Sequence, residues 1–211
     1  MVLGLDALEV GDDPAAWSAA GFAVQDGEVV IGRVRIRCLD DGGGADRWRL
    51  RTEPGGPDVP SSVDGLATST TTDEPAPPVV HPNGIVAVDH VVLRSPDLDR
   101  TTAAFGALGL DLRRTRDVGT ADRPMQQRFF RLGDVILELV GPSTPAGDGP
   151  CSIWGYAVVS DDLDATAEAL GDACSPPKEA VQPGRRIATI RTRELGIGVT
   201  LAVMTPHVKA R

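Results

Sequence analysis

The chain has 211 residues, 41% hydrophobic and 24% charged, with a formal net charge of −9. That length and apolar content can bury a core in one large domain or two small ones, and the acidity excludes nucleic acid as a partner for the surface as a whole. Glycine and proline are abundant (24 and 17) while aromatics make up 4%, an excess of turn-formers that points to many short strands rather than a helical bundle.

No apolar run approaches the roughly 18 residues that span a bilayer, so no membrane association is expected. The N-terminus meets acid at Asp6 and lacks a basic n-region, so it does not read as a secretory signal. Cys38, Cys151 and Cys174 are odd in number, far apart and outside any C-x-x-C pair. A disulfide framework or zinc knuckle does not follow from them, and a reducing, cytoplasmic compartment is the expectation.

In chain order, Leu3 to Val10 reads as a strand and Asp12-Asp13-Pro14 as the start of a helix that stops at Gly21. Phe22–Gln25 and Glu28–Leu39 supply further strand, with Gly27 and Gly32 at turns. Residues 1–40 thus look like a degenerate βαβββ-like module. Residues 41–83 have linker composition, with Gly42-Gly43-Gly44, Pro54-Gly55-Gly56-Pro57, Ser69-Thr70-Thr71-Thr72 and Pro75-Ala76-Pro77-Pro78. Within them only Arg47–Arg51 alternates like a strand. His81-Pro82-Asn83-Gly84 closes the linker as a turn.

Residues 84–142 give the clearest pattern. Ile85–Arg94 is rich in β-branched residues and reads as a strand. Ser95-Pro96-Asp97-Leu98-Asp99 reads as a capped helix start. Leu98, Thr102, Phe105 and Leu108 follow at helical spacing, and Gly109 ends the helix. Leu110–Arg114 is a short strand. Gln126–Leu132 and Val135–Val140 form a hairpin around Gly133-Asp134.

Residues 152–206 repeat this order. Ile153–Ser160 is a strand, and Asp161-Asp162-Leu163-Asp164 opens a helix that runs to Leu170 and stops at Gly171. Arg185–Arg193 and Val199–Met204 close the copy. The equivalent Pro-Asp-Leu-Asp and Asp-Asp-Leu-Asp helix starts are what internal duplication predicts. Two other features stand out here. The turn Gln182-Pro183-Gly184 precedes Arg185 and Arg186, whose guanidinium groups suit carboxylate or phosphate. Trp154 and Tyr156 share a strand face; if that face points inward they would line a pocket for a flat ligand, with core packing as the commoner alternative. No P-loop, dinucleotide fingerprint, H-E-x-x-H or nucleophile elbow is present.

The stretch Val88-Asp89-His90-Val91-Val92-Leu93, then Pro-Asp-Leu-Asp, then Phe105-Gly106-Ala107-Leu108-Gly109-Leu110, then Leu132-Gly-Asp-Val-Ile-Leu-Glu138-Leu-Val resembles the vicinal oxygen chelate superfamily of glyoxalases, bleomycin- and fosfomycin-resistance proteins and extradiol dioxygenases. The resemblance implies an α+β fold in which paired βαβββ modules form a curled-sheet, glyoxalase-like barrel, 152–206 pairing with 84–142, with an incomplete N-terminal module. It also implies that metal-dependent members draw one ligand from the first strand and one from the last strand of each module, and that the ion serves as a Lewis acid.

Carried onto this sequence, the first-strand position of the middle module is His90 and its last-strand position is Glu138. Alternation places both among apolar neighbours, and Glu138 then needs a partner, a proton or a metal. A salt bridge to Arg128 or Arg131 is the structural alternative. The equivalents in the last module are Gly155 and Ala202, which have no donor. In the N-terminal module they are Asp6, a weak metal candidate, and Arg37. Two protein ligands rarely hold a divalent ion tightly.

Three readings follow. The first is a protein with a degenerate metal site that binds a small organic molecule without metal, with Arg185, Gln127, Trp154 and Tyr156 as candidate ligand contacts. The second is a lyase, isomerase or ring-cleaving dioxygenase using His90 and Glu138 with iron, manganese, nickel or zinc. The third is a catalytically silent structural or regulatory protein. An unpaired module leaves an open sheet edge, so a homodimer is a further expectation.

Overall fold

The structure, a computed structural model, describes residues 3–42, 47–56 and 58–207. Strand β1 (Gly4–Val10) leads to helix α1 (Pro14–Ala19) and strands β2 (Val24–Gln25), β3 (Glu28–Ile31) and β4 (Val34–Cys38). Strands β5 (Arg47–Arg51), β6 (Ser62–Val63) and β7 (Leu66–Thr71) follow. Then come β8 (Ile85–Arg94), α2 (Leu98–Ala107), β9 (Arg114–Thr120), β10 (Arg123–Leu132) and β11 (Val135–Pro142). The last copy is β12 (Ser152–Ser160), α3 (Leu163–Leu170), β13 (Lys178–Glu179), β14 (Arg186–Ile190) and β15 (Thr200–Met204), with a 3₁₀ turn at Thr192–Leu195.

The strands run β2-β3-β4-β1-β5-β7-β6 in one sheet and β13-β14-β15-β12-β8-β11-β10-β9 in the other. One rule generates most of this: within a module the order is second, third, fourth, first. It holds for β1–β4, β8–β11 and β12–β15. The first and last strands pair in parallel (β8 with β11, β12 with β15) and the rest pair antiparallel. The α+β fold of βαβββ modules therefore stands. Residues 1–40 carry the module in reduced form, with a six-residue helix and a two-residue second strand.

Residues 41–83 require a correction. They are not a plain linker, because β5 pairs in parallel with β7, and β6 antiparallel with β7. These are the first, third and fourth strands of a further module whose helix and second strand have no counterpart among the described residues. The alternation of buried Trp48 and Leu50 with arginines marks β5. The Ser/Thr run that reads as loop is β7, where threonine suits a pleated surface. Asp64 and Gly65, both with positive φ, make the β6–β7 turn.

Contacts divide the chain into two compact units, with boundaries at Leu8/Glu9, Gly44/Ala45, Glu74/Pro75, Asp89/His90 and Trp154/Gly155. In the first, Phe105 of α2 meets Phe130 of β10 edge-on at 5.2 Å between ring centres, and Trp48 of β5 at 6.1 Å. Asp64 holds the start of α2: it accepts from Arg100 Nε at 2.6 Å and from the Thr101 hydroxyl. Asp6, fully buried, pairs with Arg49 (2.8 Å) and Arg51. In the second unit, Phe22 meets Trp17 tilted and His81 edge-on, each at 5.3 Å between ring centres. His81 Nε2 donates to Val30 O while Nδ1 accepts from the Ala23 amide, so the ring is a neutral structural tie, and burial lowers its pKa. The turn at 82–83 is present as expected.

The duplicated helix starts are chemically alike. Asp97 and Asp162 cap α2 and α3. In each copy a serine two residues upstream accepts from the cap's backbone amide (Ser95, 3.0 Å; Ser160, 3.1 Å). The same serine shares a 2.7 Å hydrogen bond with a threonine six residues on (Thr101, Thr166). The repeated unit in sequence is thus Ser-x-Asp-Leu-Asp-x-Thr.

Among the described residues, no helix is long and apolar enough to cross a membrane. The three thiols are free. Burial, then nearby carboxylates, pushes Cys38 and Cys151 up to about 12, so neither supplies a thiolate at neutral pH.

Candidate functional site

The four strands β8–β11 present two unlike faces. Val91 and Leu93 of β8, Leu137 and Leu139 of β11, and Phe130 and Leu132 of β10 are essentially fully buried, on the side where α2 packs. The alternate positions His90, Gln127, Phe129, Ile136, Glu138 and Val140 are only half-buried. This second face is where the polar residues gather.

Register explains how. In the parallel β8–β11 pair, His90 lies opposite Ile136 and Val92 opposite Glu138. In the antiparallel β10–β11 pair, Phe129 lies opposite Glu138 and Gln127 opposite Val140. His90, Glu138 and Gln127 therefore form a diagonal across three adjacent strands. Gln127 Nε2 donates to Glu138 Oε1 at 2.7 Å. Glu138 Oε2 lies 3.7 Å from His90 Nε2, each side chain being 13% exposed. Gln127 Oε1 is buried with no hydrogen-bond partner. One strand further out, Arg116 is opposite Gln127 and Arg114 opposite Phe129 on β9.

Burial raises the Glu138 pKa. The His90 charge, the Gln127 hydrogen bond and the Arg116 charge pull it back in part. Glu138 therefore keeps a proton to higher pH than an exposed carboxyl does. Should Glu138 take one up, a half-turn of the Gln127 amide brings its unpaired oxygen to the new O–H. A stability prediction follows. A carboxyl whose folded pKa is raised contributes most below its unfolded value, near 4.5, and that contribution is lost as pH rises through the folded pKa. Glu138→Gln keeps the shape and removes the titration. Thermal midpoints measured against pH should therefore fall less steeply above 4.5 in the variant than in the parent. Parallel curves would show that Glu138 does not titrate in this range.

The other sequence candidates fall elsewhere. Neither Arg128 nor Arg131 is the partner of Glu138. Arg128 lies on the opposite face of β10, against Asp99, Gln126 and Thr102. Asp6 has both oxygens engaged by Arg49 and Arg51, which leaves it poorly suited to a cation. Arg185 does not stand at an open edge. It is 2% exposed, pairs with Asp89 at 2.8 Å and donates to Thr205 O. Tyr156 is likewise a core residue, 2% exposed, its hydroxyl without a hydrogen-bond partner. Burial, then Asp12 and Cys38, raise its pKa well above the ordinary value. Trp154 is 42% exposed, and Arg94 lies over its ring at 4.7 Å, a cation–π contact. Sequence reasoning missed Arg114 and Arg116, because it placed that strand at Leu110–Arg114; their spacing of two is the signal that was available.

A resident divalent ion in a fold of this kind needs about three protein donors. Among the described residues no three His, Cys, Asp or Glu side chains come together. His90 and Glu138 supply two, and Gly155 and Ala202 none. Among the described residues the cluster is thus one donor short of that number.

Residues 87–190 match the family model described as the Glyoxalase/Bleomycin resistance protein/Dioxygenase superfamily. A search of curated proteins gave no significant match. Among solved structures, the chain is similar to a xylose isomerase-like TIM barrel/4-hydroxyphenylpyruvate dioxygenase fusion protein, with 13% identity, 99% of this chain and 50% of the other covered, and a TM-score of 0.61. It is also similar to an extradiol ring-cleaving dioxygenase from B. fuscum (12% identity, 99% and 72% covered, TM-score 0.58). A third similar structure is a catechol 2,3-dioxygenase (12% identity, 99% and 89% covered, TM-score 0.55). At such identities the likeness speaks to the fold.

Proposed function

Because this chain belongs, through residues 87–190, to the glyoxalase/bleomycin resistance protein/dioxygenase superfamily, we propose that it binds a small organic molecule on the half-open face of β8–β11, without a resident metal. The observation that carries this reading is the His90–Glu138–Gln127 diagonal. It is a polar cluster set among apolar Ile136, Phe129 and Val140, with the β9 arginines beyond it, internally hydrogen-bonded, and one donor short of a metal site. A few convergent polar groups on an apolar surface are the usual make-up of a small-molecule site. Its parts act without an ion: Glu138 accepts a proton or hydrogen bond, His90 donates or accepts, and Gln127 fixes the carboxylate's orientation.

The test has two parts. Elemental mass spectrometry after incubation with iron, manganese, nickel and zinc should find no stoichiometric ion. About one ion per chain, lost in both His90→Ala and Glu138→Ala, would overturn the metal-free reading in favour of the metal-dependent lyase, isomerase or dioxygenase. A thermal-shift screen of organic small molecules should then yield stabilising ligands. His90→Ala and Gln127→Leu are expected to weaken them roughly tenfold to a hundredfold, the range for losing one hydrogen bond to a charged group. A metal-free protein with no ligand whose binding depends on these residues would leave the catalytically silent alternative.

A further inference from the structure

We propose that the molecule bound at this face is an organic oxyanion, its charged end held by Arg114 and Arg116 and its body lying over Phe129 towards Glu138; this rests on the reading above. The protein as a whole is acidic, with 30 Asp and Glu against 21 Lys and Arg. On this one face of β8–β11 the balance reverses. Strand β9 contributes Arg114 and Arg116 and strand β8 contributes Arg94, while Glu138 is the acidic side chain there; Asp117 of β9 turns to the other face, where it accepts from Gln126. A cationic patch set against the net charge concentrates anions locally and repels none of the ligand's own charge.

Arg114 and Arg116 are also uncommitted. Among the described residues neither makes a salt bridge or side-chain hydrogen bond, whereas Arg100, Arg128, Arg185 and Arg186 each have a carboxylate partner. Arg116 lies near enough for its charge to act on Glu138. Two guanidinium groups two residues apart on one strand face point the same way, and their planar forks suit a carboxylate or a phosphate ester. The row Arg114–Phe129–Glu138 crosses three strands, about 10 Å at the backbone. A single ring or short carbon chain with two polar ends bridges that span. The unpaired Gln127 Oε1 adds an acceptor, so the uncharged end of the ligand is expected to carry an O–H or N–H.

The test is a fragment set of matched triplets (a carboxylic acid, its phosphate-ester analogue and its neutral primary amide) followed by backbone amide NMR shifts on the full chain. The expected result is that acids or phosphate esters shift residues 114–116 and 127 while their amides do not, and the acid and ester arms show which oxyanion is preferred. Affinity should fall as salt is raised. The Arg114→Gln/Arg116→Gln double variant should lose roughly tenfold to a hundredfold in affinity; both residues are exposed, and a retained thermal midpoint checks its fold. If amides bind this face as well as acids, or the double variant binds acids undiminished, the oxyanion assignment falls and the binding reading stands. If no fragment of any class shifts this face, both fall.

Discussion

Arg185→Ala is expected to destabilise the protein by about 3–5 kcal/mol, the usual cost of removing one member of a buried ion pair. The Arg185 and Asp89 side chains are 2% and 3% exposed. Arg185 also ties the turn after Gln182 to the end of β15: its Nε and Nη2 donate to Thr205 O at 2.8 and 2.6 Å, and Nη1 lies 3.3 Å from His207 Nε2. Without the guanidinium, the buried Asp89 carboxylate keeps His207 at 3.2 Å, an exposed ring that compensates only when protonated. For a chain of this size the loss corresponds to a fall of roughly 10 °C in thermal midpoint, readable by calorimetry or urea melts. The double variant Arg185→Met/Asp89→Leu removes both charges together and should recover much of the loss. A single variant melting with the parent would mean that the pair is solvated.

Gly155→His is expected to fail as a restoration of the missing metal ligand. Gly155 is opposite Thr200 in the parallel β12–β15 pair. A Cβ built on it would lie 2.3 Å from Thr200 O and 3.0 Å from Thr200 Cβ, so any side chain there forces the two strands apart. Overpacking of this kind costs about 1–3 kcal/mol and at times more, and Gly155→Ala alone should show most of it. The expected outcome is a lower midpoint in both variants and no gain of stoichiometric metal in the histidine variant. A stable Gly155→His protein that binds zinc with His90 would overturn the argument. The glycine is thus a packing requirement of the β12–β15 pair, whose backbone leaves no room for a side chain at that position.

The βαβββ repeat was legible wherever local chemistry is strong. The β-branched run Ile85–Arg94, the capping aspartates at 97 and 162 and the Gly133-Asp134 hairpin each name their own element. Strand β9 was harder. Arg-Thr-Arg-Asp-Val-Gly-Thr is polar on both faces and lies at a sheet edge, so it carries no burial pattern to read. Strand β7 hid for a similar reason, as its Ser/Thr content resembles a loop until β5 pairs with it. His90 and Glu138 could be placed on their strands from alternation, and their neighbours Ile136 and Val92 followed. The opposing role of Gln127 could not be placed, because a register between β10 and β11 is needed to know that it meets Glu138 rather than Val140 alone. Arg185 misled because a Pro-Gly turn usually marks an exposed edge, and only the partner on β8, 96 positions away, reveals that it is buried.

The parallel pairing of first and last strands has a consequence for how such a module can change. Residues on β8 and β11 meet because those strands are neighbours, whatever lies between them. Helix, second strand and third strand form a detour whose length does not enter the separation of His90 and Glu138. The 47–71 copy shows how far this goes: among its described residues there is neither the helix nor the second strand, and β5 still lies against β7 in parallel. Insertions and deletions in the detour should thus reshape the surroundings of His90 and Glu138 while leaving the spacing of these two positions fixed. This separates the geometry that must be kept from the chain that is free to drift.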